Sequence, residues 1–145
     1  MLRGSCLCGG IRYEIGSELE LPLNCHCSMC RKATGAAFRT RASVSADSFR
    51  WVAGERLLSR YESSPGHVRT FCSVCGSTLV TIFPDSPETL GLALGTLDDD
   101  PGVKPLFHVY VESKAPWYEI SDVLPEYQTT PEGEVLSEPR TSVCG

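Results

Sequence analysis

The chain has 145 residues, with 13 Lys+Arg against 18 Asp+Glu and a formal charge of −5. That length fits one domain whose core needs no disulfide staples, and the acidic balance argues against a nucleic-acid partner, which selects a basic face. No apolar run reaches the ~20 residues of a membrane span, and the opening Met1 to Cys6 lacks the apolar segment of a signal peptide, so a cytoplasmic chain with no membrane partner is expected.

Short strands dominate the predicted elements. Gly9-Gly10 reads as a turn, and Ile11-Arg12-Tyr13-Glu14-Ile15 alternates with the period of a half-buried strand. Further strands are expected over Phe38 to Arg41, Leu57 to Tyr61, Val68 to Phe71, Ser77 to Phe83, Leu90 to Leu97 and Phe107 to Glu112. Pro65-Gly66, Pro84, Pro87, Pro101-Gly102 and Pro105 punctuate them. Helix is scarce: one turn over Ala46 to Phe49 behind Ser45, and another over Pro116 to Ile120. The pattern is that of a mainly β domain over residues 1–127. Residues 128–145 hold Pro131, Gly133 and Pro139 but few large apolar side chains, and read as a loosely ordered tail.

Eight cysteines carry the chemical signal, seven of them in three tight clusters: Cys6-x-Cys8, Cys25-x-Cys27-x2-Cys30 and Cys72-x2-Cys75. In a reducing cytosol such clusters bind metal or do redox chemistry more often than they form disulfides. Cys72-Ser73-Val74-Cys75-Gly76 is a metal-knuckle pattern: the two-residue spacer turns both thiolates toward one ion, and Gly76 permits the positive φ of the turn. A structural zinc needs four ligands. Cys6 and Cys8 are the natural donors, since residues i and i+2 of an extended segment face one side.

The middle cluster offers three sulfurs. Three protein ligands leave a fourth position open, which suits catalytic rather than structural zinc. Three thiolates make the ion a poor generator of hydroxide but a good partner for a soft ligand such as a substrate thiol. Arg31 and Lys32 follow at once and could attract a carboxylate-bearing thiol such as glutathione. The alternative is a second structural zinc, with His26, Cys144 or another residue as the fourth ligand. His108 lies in a strand-like run and is expected to be hydrogen-bonded rather than catalytic.

The motifs Gly4-Ser5-Cys6-x-Cys8-Gly9-Gly10-x-Arg12-Tyr13, Cys25-His26-Cys27-Ser28-x-Cys30-Arg31-Lys32 and Phe71-Cys72-x2-Cys75-Gly76-Ser77, with His108-Val109 and Trp117 behind them, resemble the glutathione-dependent formaldehyde-activating / centromere-protein-V-like family. The resemblance spans about residues 2–120. It implies the β-tent (Mss-four-like) fold, antiparallel sheets joined by structural zinc. It also implies two Zn²⁺ per chain, a structural one at Cys6, Cys8, Cys72 and Cys75 and a catalytic one at Cys25, Cys27 and Cys30. The activity implied is that of a carbon–sulfur lyase or synthase of the S-hydroxymethylglutathione synthase type, with a small-molecule thiol such as glutathione as co-substrate. Two other readings stay open: a zinc-stabilised binding or chaperone-like module of the same fold, and a redox dithiol at Cys27 and Cys30.

Overall fold

In the computed structural model, residues 1–131 are described. The chain runs through β1 (Leu2–Ser5), β2 (Arg12–Ile15), β3 (Glu20–Cys25), α1 (Ser28–Thr34), β4 (Arg39–Ser45), β5 (Phe49–Ala53), β6 (Leu58–Ser64), β7 (His67–Cys72), β8 (Thr78–Ile82), β9 (Thr89–Ala93) and β10 (His108–Val109). Two sheets form, a three-stranded one in the order β1-β2-β5 and a seven-stranded one in the order β10-β3-β4-β9-β8-β7-β6. The domain is mainly β, as the strand-and-turn pattern predicts. Among the named strands every pairing is antiparallel except that of β10 with β3, which is parallel. The expected tail falls outside the described residues from 132 on, and Cys144 with it. Before that point Tyr110 N–H donates to the Thr129 carbonyl at 2.9 Å, and Pro131 is buried.

The alternation of β2 explains how the sheets meet. Ile11, Tyr13 and Ile15 are buried together with Ala42, Val44, Leu79, Val80 and Leu92 of the large sheet, while Arg12 is exposed. The Tyr13 ring stacks on Phe49 at 5.1 Å and its hydroxyl meets Thr96 Oγ1 at 2.7 Å. Gly4 leaves room for that ring: a Cβ there would lie 2.1 Å from Tyr13 Cζ. β8 lies between β7 and β9, and its Leu79, Val80 and Thr81 are all buried, which is why it reads as an apolar run rather than an alternation.

Several segments depart from the sequence reading. The run from Leu90 to Leu97 is strand only to Ala93, and Leu94–Thr96 turns as a 3-10 helix. The Phe107 to Glu112 run keeps only the two residues of β10, because Tyr110 adopts a left-handed φ of 56° and breaks it. Ala46–Ser48 forms the expected turn, but Ser45 makes no side-chain cap there. Pro116 and Trp117 form a single turn, closed by Tyr118 N–H on the Ala115 carbonyl at 3.1 Å, but it does not continue as helix to Ile120. α1 is the larger omission, and it is built on the middle cysteines.

Candidate metal centres

The first centre is made by two facing turns. Cys6 and Cys8 lie in the turn after β1, where Gly9 N–H closes on the Cys6 carbonyl at 2.9 Å and Ile11 N–H points at Cys6 Sγ at 3.3 Å. Cys72 ends β7. Past it, Val74 and Cys75 N–H groups point at Cys72 Sγ at 3.4 and 3.5 Å, and Gly76, at φ 78°, closes the knuckle on the Cys72 carbonyl at 2.8 Å. Leu7 N–H bridges the turns to Ser77 Oγ at 2.8 Å. Behind the first turn, Gly54 comes so close that a Cβ on it would stand 2.0 Å from the Gly10 carbonyl oxygen.

All four sulfurs then lie within 4.8 Å of one another. Cys6 Sγ and Cys8 Sγ are 3.5 Å apart, and Cys8 Sγ and Cys72 Sγ 3.9 Å. Sulfurs ~2.3 Å from a shared tetrahedral ion stand ~3.8 Å apart, so this group could hold a four-coordinate metal without rearrangement. Hydrogen bonds from the Ser77 hydroxyl and the Ser77 and Cys8 backbone N–H groups hold the Cys75 thiol down to about 5, while Cys8, despite the Gly10 N–H beside it, is pushed up to about 11 by Cys6; a bound metal would take all four as thiolates.

The second centre is local. Cys25 ends β3, and Cys27 caps α1 with its own sulfur, accepting the Cys30 N–H at 3.2 Å. The helix closes on Gly35 in the left-handed region, whose N–H reaches the Arg31 carbonyl. Cys25, Cys27 and Cys30 are buried and their sulfurs form a second group within the same 4.8 Å limit. Among the described residues no fourth Cys, His, Asp or Glu joins it. No disulfide joins the seven described cysteines. Around the group pack Leu23, Phe107 and Val109, with Leu21, Met29, Tyr110 and Tyr127 at the margin. Arg69 of β7 brings its Nη2 to 3.7 Å from Cys30 Sγ and donates Nε to Ser63 Oγ at 3.0 Å.

His26, between two of these cysteines, is fully buried and turned elsewhere. Its Nε2 meets His108 Nδ1 at 2.8 Å, and His108 Nε2 meets the two carboxylate oxygens of Asp122 at 3.1 and 3.0 Å. The carboxylate can only accept, so His108 donates from Nε2 and accepts at Nδ1, and His26 donates from Nε2. Burial, with the Lys114 ammonium nearby, lowers His26 to about 4 and keeps it neutral at neutral pH. The hydrogen bond from His108 holds the Asp122 carboxyl below its ordinary value. The chain thus fixes the ring at the bend between β3 and α1, and His108 is hydrogen-bonded as its strand context predicts.

The cationic pair on α1 divides. Arg31 donates Nε to the Ser113 carbonyl at 3.2 Å, and Lys32 is exposed. Sequence reasoning missed Arg69 and Asp122, which lie 39 and 92 residues along from Cys30 and whose roles exist only in the folded chain. It could have found α1, because Met29, Arg31, Lys32 and Ala33 are good helix formers and Gly35 is a usual stop. No helix of the described residues is long and apolar enough to cross a membrane.

Known proteins resemble this chain over most of its length. The family model described as "Glutathione-dependent formaldehyde-activating enzyme" matches residues 1–113, which include all three cysteine clusters. A protein of Halomonas elongata that carries the name "Putative glutathione-dependent formaldehyde-activating enzyme" is 36% identical over 129 residues, covering 83% of this chain and 81% of that protein. A crystal structure of a Rhodobacter sphaeroides protein superposes with a TM-score of 0.55 at 25% identity, over 71% of this chain and 91% of that one.

Proposed function

The chain belongs to the glutathione-dependent formaldehyde-activating family, and from that premise we propose that it makes or breaks a carbon–sulfur bond in the adduct of a thiol with a small aldehyde. In this reading Cys6, Cys8, Cys72 and Cys75 hold a structural zinc, and Cys25, Cys27 and Cys30 hold a catalytic one. The single observation that carries the reading is the second sulfur group, three converging cysteines with no fourth ligand among the described residues. A zinc ion held by three thiolates supplies a soft acceptor that favours a thiol in its deprotonated form.

The chain's own residues set the rest. The β3 end and the first turn of α1 fix the three sulfurs at six-residue span, and the Asp122–His108–His26 chain locks the bend between them. The Arg69 guanidinium beside Cys30 offsets part of the negative charge that three thiolates carry. Arg31 and Lys32 on α1 add positive potential that draws in a thiol bearing carboxylates, of which glutathione is the natural candidate. In the forward direction the thiol sulfur attacks the aldehyde carbon. The S–C bond forms as the carbonyl π pair moves to oxygen, and that oxygen takes up the proton the thiol releases. The reverse step expels the thiol and regenerates the aldehyde. A cytoplasmic, reducing compartment would keep all these cysteines available.

The test is exchange NMR with ¹³C-labelled formaldehyde and glutathione on zinc-loaded protein. Adduct formation and breakdown should run faster than in buffer, and Cys27→Ser should lower that acceleration by about 100-fold or more. No acceleration with formaldehyde or with a larger aldehyde would contradict the reading.

A further inference from the structure

A groove of about 450 Å³ lies between the end of α1 and the β6–β7 hairpin, and Ala33, Tyr61, Arg69, Phe71, Gly76 and Thr78 line it. Its walls follow from strand geometry. Arg69 and Phe71 lie on β7 on either side of a register shift against β8, Tyr61 stands opposite Arg69 on β6, and Thr78 stands opposite Phe71 on β8. The helix supplies the other side, held by Thr78 Oγ1 donating to the Ala33 carbonyl at 3.3 Å. Two aromatic rings, an alanine methyl and a threonine, with Arg60 and Arg69 beside them, therefore border an open groove of the size small-molecule sites use. Tyr61 leaves 64% of its surface exposed there.

The groove adjoins the three-cysteine group across Arg69, and none of the three buried cysteines lines it. Ala33 sits one helical turn beyond Cys30, on the same face of α1, and the Arg69 side chain that lines the groove is the one whose Nη2 stands 3.7 Å from Cys30 Sγ. A hydroxymethyl group made from formaldehyde would occupy almost none of this apolar space. The chemistry of the walls suits an alkyl or aryl substituent attached to the reacting carbon.

We propose that this groove receives the apolar substituent of the aldehyde, so that the chain acts preferentially on thiol adducts of apolar aldehydes larger than formaldehyde. The inference rests on the carbon–sulfur reading above and narrows it: the thiol is unchanged, and the carbon partner is R–CHO with R apolar. The same balance holds, with the thiol sulfur bonding to the aldehyde carbon and the thiol proton ending on the new hydroxyl of a hemithioacetal.

Exchange NMR of glutathione with phenylacetaldehyde and with formaldehyde, on the zinc-loaded full chain, reads the preference as a ratio of catalytic efficiencies. The ratio should favour phenylacetaldehyde by about tenfold or more, the span a hydrophobic pocket gives for a few extra carbons. Tyr61→Ala, at an exposed position, should reduce that ratio about fivefold through loss of one aromatic wall. Val52→Ala, on β5 of the other sheet, should leave the ratio as in the parent. Equal or better handling of formaldehyde, or a ratio unmoved by Tyr61→Ala, overturns the proposal while the carbon–sulfur reading stands. Acceleration with neither aldehyde overturns that reading, and this inference with it.

Discussion

Cys72→Ala will leave the chain largely unfolded under conditions in which Cys27→Ala still melts cooperatively. Cys72 belongs to a group that ties the turn after β1 to the end of β7, 64 residues away from Cys8. Structural zinc sites contribute apparent free energies of about 10–16 kcal/mol in zinc-finger peptides, as large as the whole 5–15 kcal/mol or so that keeps a typical domain folded. Losing one of four ligands should remove much of that, and it also leaves the N–H groups of Val74 and Cys75 without their sulfur acceptor. Cys27 lies in a centre confined to β3 and α1. Its loss removes a helix cap, about 1 kcal/mol, and leaves a small cavity at a fully buried position, costing about 1–3 kcal/mol more. Thermal melts of the two variants, made with zinc present throughout, decide the matter. Equal destabilisation would mean that the two centres do not divide into structural and catalytic roles.

The second large effect concerns metal release. Purified under metal-replete conditions, the protein should carry two zinc ions by elemental analysis and surrender them at very different rates. A mild chelator should remove the ion of the three-cysteine centre first, since three protein ligands hold less strongly than four and leave a position through which a competing ligand can enter. The ion at Cys6, Cys8, Cys72 and Cys75 should leave only as the fold is lost, in line with the coupling of structural metal to folding. A coloured zinc indicator separates the phases, with Cys27→Ser lacking the fast one and keeping the slow one. A stoichiometry of one in the parent would leave Cys25, Cys27 and Cys30 as thiols and turn attention to redox chemistry.

Much of this was legible in the residues, for identifiable reasons. The spacing of Cys72 and Cys75 and the pairing of Cys6 with Cys8 are local chelate geometry, and local geometry survives in sequence. The alternation of Ile11, Tyr13 and Ile15 marks a strand with one buried face, and the structure buries those three side chains. β3 escaped because Pro22 interrupts it. The pairing of β3 with β4 shifts register between Glu20 and Leu23, and Leu21 takes a φ of 46°, so the segment lacks a clean strand period. α1 escaped because its cap is a cysteine rather than the usual Ser, Thr, Asp or Asn. Arg69 gave no signal at all. It looks like any strand arginine until the fold sets α1 against β7 and β8 and brings Cys30 to it. The Asp122–His108–His26 chain likewise depends on the parallel pairing of β10 with β3, which no short-range pattern encodes.

The most direct test of the central claim uses cobalt in place of zinc, since cobalt's visible bands report the ligands around each ion. Cobalt-loaded protein should show two distinguishable sets of bands. Addition of glutathione should move one set toward a four-sulfur pattern, that of Cys25, Cys27 and Cys30, and leave the set from Cys6, Cys8, Cys72 and Cys75 unchanged. If millimolar glutathione and mercaptoethanol both leave every band where it was, the three-cysteine centre does not take a substrate thiol, and the carbon–sulfur account of this protein is contradicted.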